Sequence, residues 1–234
     1  MTRDQIQATL RKEYDQQSWL RVLRGILPGT DVFAVPQTVA VPTPNVDVGG
    51  VTFKDSAANY SLAYLLALLN SAVLRWYFPH VAAPFRGGFR SANKQYLSLV
   101  PFPQLDFNEP TERSQHDCVT RVAELVVWFH ARKAARENLK ETTDSPLMAA
   151  FFEQWVNALV YELFFPQELH AAGLYLFDLI LAVNLPPLET LGEPERLPRL
   201  QAIFTTTYAS DHKLRQALYR LGSLDLVRTI EGKT

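Results

Sequence analysis

Apolar positions recur at helical spacing over most of this chain. Between residues 3 and 27 they are Ile6, Leu10, Trp19, Leu20, Val22, Leu23, Ile26 and Leu27. That pattern predicts a helical pair or one broken helix, stopped by Pro28-Gly29. The valine-rich DVFAVPQTVAVP that follows alternates in part and reads as extended, with Pro36 and Pro42 confining it to an edge or a non-strand role. PTPNVDVGG reads as a loop. From Tyr60 to Phe78 the chain is apolar on nearly every face, which predicts a helix sunk in the core. Asp55, Ser56 and Asn59 are its candidate caps and Pro79 its stop. Residues 82–91 are irregular and glycine-bearing, Asn93–Leu99 suits a helical turn, and Pro101 and Pro103 close the unit.

Beyond a polar connector, a long helix is expected over about Thr111–Lys140, with Val119, Val122, Leu125, Val126 and Phe129 as its apolar stripe. Thr142–Pro146 is a turn, and Leu147–Phe165 a second helix able to pair with the first as a hairpin. Pro166 opens a further helix through QELHAAGLYLFDLILAV. A proline-rich connector, NLPPLETLGEPERLP, leads to last helices over about Arg199–Phe204 and His212–Leu221. The sum is an α+β chain that is mostly α-helical, with a small β or irregular part near residues 30–55 and 82–92. Its expected divisions are 1–44, 45–110 and 111–234.

Composition narrows the function classes. The 234 residues are 47% hydrophobic and 20% charged, a globular balance. A net charge of −1 gives no global field for nucleic acid, so any such partner must be met by a local patch. One cysteine, Cys118, excludes an internal disulfide or a multi-cysteine zinc site and fits a reducing compartment. The opening MTRDQIQATLRKEYDQQ lacks a signal-peptide core, and the longest apolar run, Leu62–Leu69, is too short to cross a bilayer. The expectation is a cytoplasmic protein without a membrane partner.

Catalytic patterns are missing: no G-x-G-x-x-G, no phosphate-binding loop and no G-x-S-x-G occurs. His116 and Cys118 lie two apart, a spacing that does not face one way on a helix. His80, His130, His170 and His212 are scattered, and Glu162 and Glu168 read as solvated helix charges rather than an acid/base pair. PFRGGFRSANKQY is different. Arg86, Arg90 and Lys94 recur every four residues with no acid between them, interleaved with Phe85, Phe89 and Tyr96. Gly87-Gly88 permits close backbone approach. Arginine and lysine suit phosphates, arginine also suits guanine edges, and the amides of Asn93 and Gln95 suit adenine. Residues 45–105 hold five Lys/Arg against two Asp/Glu. Two readings stand here: a DNA contact, or a solvated basic loop over a small aromatic core.

LLALLNSAVLRWYF followed by FRGGFRSANKQYLSLVPFP resembles the TaqI-like C-terminal specificity domain of N6-adenine DNA methyltransferases and type IIG restriction-modification enzymes. The likeness rests on Leu65-Leu66, Leu69-Asn70-Ser71, Arg86-Gly87-Gly88, Lys94-Gln95-Tyr96-Leu97 and Pro101-Phe102-Pro103. NALVYELFFPQELHAAGL and LYRLGSLDLVRTIEG are similar to later parts of such enzymes, and KEYDQQSWLRVLRGILPGTDVFAVPQ to their opening stretch. The resemblance implies a target-recognition module for double-stranded DNA, with Arg86, Gly87, Gly88, Phe89, Arg90, Asn93, Lys94, Gln95 and Tyr96 as the contacts. No Asn-Pro-Pro-Tyr tetrad, S-adenosylmethionine loop or Asp…Glu-x-Lys nuclease set is present. It therefore implies no catalysis and no cofactor here; S-adenosylmethionine and Mg would belong to catalytic domains the chain lacks. The chain looks either like two ends of a type IIG enzyme joined near residues 42–55 or like a free-standing specificity subunit. A separate methyltransferase or endonuclease chain is the further expected partner. The alternative is a helical interaction subunit or inactive remnant without DNA affinity.

Overall fold

The structure, a computed structural model, describes residues 1–13, 23–28, 49–53, 59–84, 90, 94–97, 99–135 and 144–233. Helix α1 (Arg3–Glu13) is opened by a reciprocal cap. The Gln5 amide N–H donates to Thr2 Oγ1 (3.3 Å), and the Thr2 N–H donates to Gln5 Oε1 (2.8 Å). Ile6 and Leu10, one turn apart, are its buried face. Strands β1 (Leu23–Pro28) and β2 (Gly49–Phe53) pair antiparallel, with an irregularity between Leu23 and Gly25.

The expected α+β class is overturned. The body is helical, and two paired strands are a ribbon rather than a sheet layer, too few to bury a face of their own. The strand β1 also falls where a helix up to Leu27 was expected. The expected β or irregular part at 30–55 reduces to β2, and that at 82–92 to one isolated bridge, the remainder lying outside the described residues.

The apolar run after Tyr60 is two helices, α2 (Leu62–Asn70) and α3 (Ala72–Val81), broken at Ser71. Asn59 does not cap α2, and the other expected caps, Asp55 and Ser56, lie outside the described residues. Ser61 caps it, its Oγ accepting from the Tyr64 N–H at 2.9 Å. Pro79 does not stop α3, which continues two residues past it, although the ring offers no N–H to the Arg75 carbonyl.

Helices α5 (Pro110–Ala135) and α6 (Asp144–Phe164) pack side by side as the expected hairpin; α4 (Lys94–Leu97) precedes them. Phe129 stacks on Phe152 between them (5.9 Å, 19°), and His130 Nε2 meets Glu153 Oε1 at 2.6 Å. Val119, Val122, Leu125 and Phe129 are buried as the stripe requires. Trp155, Phe152, Phe164 and Phe165 are fully buried at the centre. Each such side chain contributes roughly 1.5–3 kcal/mol by leaving water.

The single helix expected from Pro166 is two, α7 (Pro166–Ala171) and α8 (Leu176–Leu181). Gly173, at φ +68°, ends α7. The Leu174 N–H donates to the Leu169 carbonyl and the Gly173 N–H to that of His170, both at 2.9 Å. That left-handed C-terminal turn needs a residue without Cβ strain. Helix α9 (Glu193–Thr207) begins six residues before Arg199, because Pro194 sits in its first turn, where a missing N–H costs nothing. Helices α10 (Lys213–Ser223) and α11 (Asp225–Glu231) complete the body. One continuous core runs from Ile6 and Leu10 through α2, α3, α5 and α6 to Ile230. No described helix is long and apolar enough to cross a membrane.

Candidate nucleic-acid interface

Two serines hold the helices that carry the basic stretch. Ser61 caps α2 and is itself held by α5: its N–H donates to His116 Nε2 (3.0 Å), and its Oγ meets Thr120 Oγ1 (2.7 Å). His116 Nδ1 pairs with Asp117 Oδ1 at 2.9 Å. His116 is therefore a buried structural acceptor, not half of a metal pair with Cys118. Ser71 sits at the joint. Its Oγ donates to the Leu68 carbonyl (2.7 Å) and accepts from the Leu74 N–H (3.2 Å), closing α2 and opening α3. Asn157 on α6 reaches in, Oδ1 accepting from the Ala72 N–H at 2.8 Å. The Leu-Asn-Ser of this region is thus a helix joint: Asn70 Nδ2 donates to the Leu66 carbonyl (3.0 Å), and Ser71 turns the chain.

The far end of the stretch is fixed by an aromatic cluster. Tyr60 meets Phe102 edge-on (5.3 Å) and Phe107 at right angles (4.8 Å), while Tyr64 lies 5.0 Å from the His116 ring. Tyr60 Oη accepts from the Leu105 N–H at 2.6 Å and donates to its carbonyl at 3.4 Å. Burial pushes the Tyr60 phenol above its ordinary value. Val100 and Phe102 are buried, so the proline-flanked stop is an anchor.

Between these anchors the backbones of Pro84 and Arg90 form an isolated antiparallel bridge. The chain therefore leaves and returns at one place. Arg90 is exposed, and its Nη1 donates to the carbonyl of Ala82, the C-cap of α3, at 3.4 Å. Lys94 and Gln95 open α4, and Tyr96, half-buried, is its third residue, followed by buried Leu97. Arg86, Gly87, Gly88, Phe89 and Asn93 lie outside the described residues.

An unpaired cation from an earlier turn joins this region. Arg75 on α3 is exposed and makes no ion pair among the described residues. With Leu69, Asn70, Leu74, Phe78, Pro79, Leu97 and Val100 it lines a surface cleft of about 370 Å³ that reaches α4. Among the described residues no acidic side chain lines that cleft. Periodicity hid Arg75 inside an apolar run. Its signal was a lone charge in AVLRWYF.

The remaining candidates are structural. Glu162 is not a solvated charge: it is buried, with Oε2 accepting from the Leu176 and Phe177 N–H groups (2.7 and 2.8 Å) and Oε1 meeting His170 Nε2 (2.8 Å). The carboxylate thereby caps α8 from another helix. His80 Nδ1 meets the Trp76 carbonyl (2.8 Å), and His212 caps α10, Nδ1 accepting from the Leu214 N–H (3.2 Å). Cys118 is buried, and its thiol is pushed up to about 12 chiefly by that burial. Among the described residues no group of three His, Cys, Asp or Glu side chains is placed to hold a metal ion.

No protein-family model matches the chain, and no solved structure matches it. One stretch of 61 residues, 26% of the chain, is 31% identical to the type II restriction enzyme and methyltransferase RM.Eco57I of Escherichia coli. The match spans 6% of that enzyme's length. This part of the chain is thus related to a restriction-modification enzyme.

Proposed function

We propose that the chain is a DNA target-recognition module of a restriction-modification system, binding duplex DNA and performing no chemistry itself. The observation that carries this reading is the mounting of the basic stretch. Its entry and exit are bridged at Pro84 and Arg90. Its two flanks are tied into the core by Ala72–Asn157 on one side and Tyr60–Leu105 on the other. A cationic, acid-free segment whose ends meet at one root suits contact with a polyanion, since phosphates position such a protein before bases are read. The similarity to a restriction-modification enzyme supports the same reading. S-adenosylmethionine and Mg would be held by a separate methyltransferase or endonuclease chain, if one is engaged.

The test is a binding titration against random duplex DNA at several salt concentrations. Each phosphate contact contributes about 0.9 to the slope of log affinity against log salt. Alanine at Arg86, Arg90 and Lys94 together is expected to flatten that slope by about 2.7 and to remove most binding at low salt. Unchanged binding by the triple variant overturns the reading and leaves the chain an interaction subunit without DNA affinity at this site.

A further inference from the structure

We propose that Arg75 is a backbone-phosphate contact, so that the DNA-facing surface runs from the basic stretch across α3 to the cleft beside α4. This rests on the reading above and extends it to a residue outside that stretch.

Three observations carry it. Arg75 is exposed and, unlike Arg196 or Lys233, has no acid partner among the described residues. The cleft it lines is apolar apart from Asn70, whose amide is already spent on the Leu66 carbonyl. With no carboxylate among the described lining residues, an approaching phosphate meets one positive group on the wall of the cleft. The neighbouring clefts differ. The one at the start of α5 contains Asp117 beside Arg113 and Arg121, and the one along α10 contains Glu231 beside Arg215 and Lys233.

Spacing is the third. Arg75 and the C-cap Ala82, where the Arg90 guanidinium is bound, are seven residues apart on one helix. At about 1.5 Å per residue that is roughly 10 Å along the axis. A duplex strand winds about its axis while advancing about 3.4 Å per nucleotide, so a separation of this size suits phosphates of near-neighbour nucleotides on one strand. Arg75 lies on α3 and Arg90 is bound at its C-cap, so the placement of both follows this one helix, whose start is set by the Ser71 joint.

The experiment compares the full chain with Arg75→Ala and Arg75→Lys in the same salt titration, with thermal melting to verify folding. Arg75→Ala is expected to flatten the slope by about 0.9. The loss of affinity between 50 and 200 mM salt then shrinks about 3.5-fold, as one contact over a fourfold salt change requires. Arg75→Lys keeps the slope. If Arg75→Ala matches the wild type while the triple variant loses binding, the inference fails and the basic stretch stands alone. If Arg75→Ala loses one contact while the triple variant binds normally, the inference holds and the basic-stretch assignment fails. If neither changes binding, both fail.

Discussion

At the residue scale the most consequential side chain is Glu162. It accepts two N–H groups of α8 and meets a histidine of α7, so three otherwise unmatched polar groups depend on one buried carboxylate. Glu162→Ala is expected to cost about 3 kcal/mol, because charged acceptors are worth more than neutral ones and buried donors left alone are expensive. Glu162→Gln should recover only part of it; urea denaturation of the three proteins is the check. Cys118 makes the opposite prediction, one of inertness. With its thiol pushed up to about 12, the reactive thiolate at pH 8 is on the order of one part in ten thousand. A disulfide reagent at pH 8 should leave the native chain unlabelled and label the denatured chain once; stoichiometric labelling of the native chain would refute it. The same shift carries a stability sign. The folded chain keeps this proton from the ordinary value of 9.0 up to about 12, while the unfolded chain has already lost it. Stability from this group is intact below pH 9 and falls as pH rises toward 12.

How much of this was legible follows from locality. The acid in VYELFF was visible as a charge inside an apolar run, which is a cue to a buried partner. Its partners lie eight to fifteen residues further on, in segments whose own break at Gly173 was read as continuous helix, so no local pattern could pair them. The hairpin of α5 and α6 was readable because amphipathic period and length agree over many turns. The ribbon was not, since LRGILP is short enough to fit either period and its partner is more than twenty residues away.

At the element scale, Ser71 decides how α3 stands on the core. A run apolar on nearly every face shows no change of phase when it breaks, which is why Tyr60–Phe78 read as one rod. The cue was the Asn-Ser pair, polar residues that compete for backbone groups. Asn157→Ala removes the acceptor of the Ala72 N–H and is expected to cost about 1 kcal/mol, as loss of a helix cap does. If α3 positions the DNA-facing residues, the same variant should weaken binding at every salt concentration while leaving the slope unchanged, since no phosphate contact is deleted. A changed slope would place Asn157 on the DNA instead.

At the scale of the whole molecule, charge is segregated rather than abundant. Residues 45–105 hold five Lys/Arg against two Asp/Glu in a chain whose net charge is −1, so the remainder is acidic on balance. Such a chain is turned by the field of DNA as well as drawn to it, since its acidic remainder is repelled. With Arg75, Arg86, Arg90 and Lys94 all engaged, the wild-type salt slope should lie near −3.6, about 0.9 for each. The basic stretch was plain in the sequence as residue types. Its mounting was not, because the bridge, the joint and the tyrosine clamp all join residues that no motif links.

The bridge between Pro84 and Arg90 has an evolutionary corollary. A segment whose two ends share one root can be exchanged, lengthened or shortened with little disturbance of what bears it, and the entropic cost of extra length grows only logarithmically. If residues 85–89 read DNA as proposed, new sequence preferences can be tried there while the helical body is left unchanged. On the proposed reading, a graft across that root is the natural route to altered recognition.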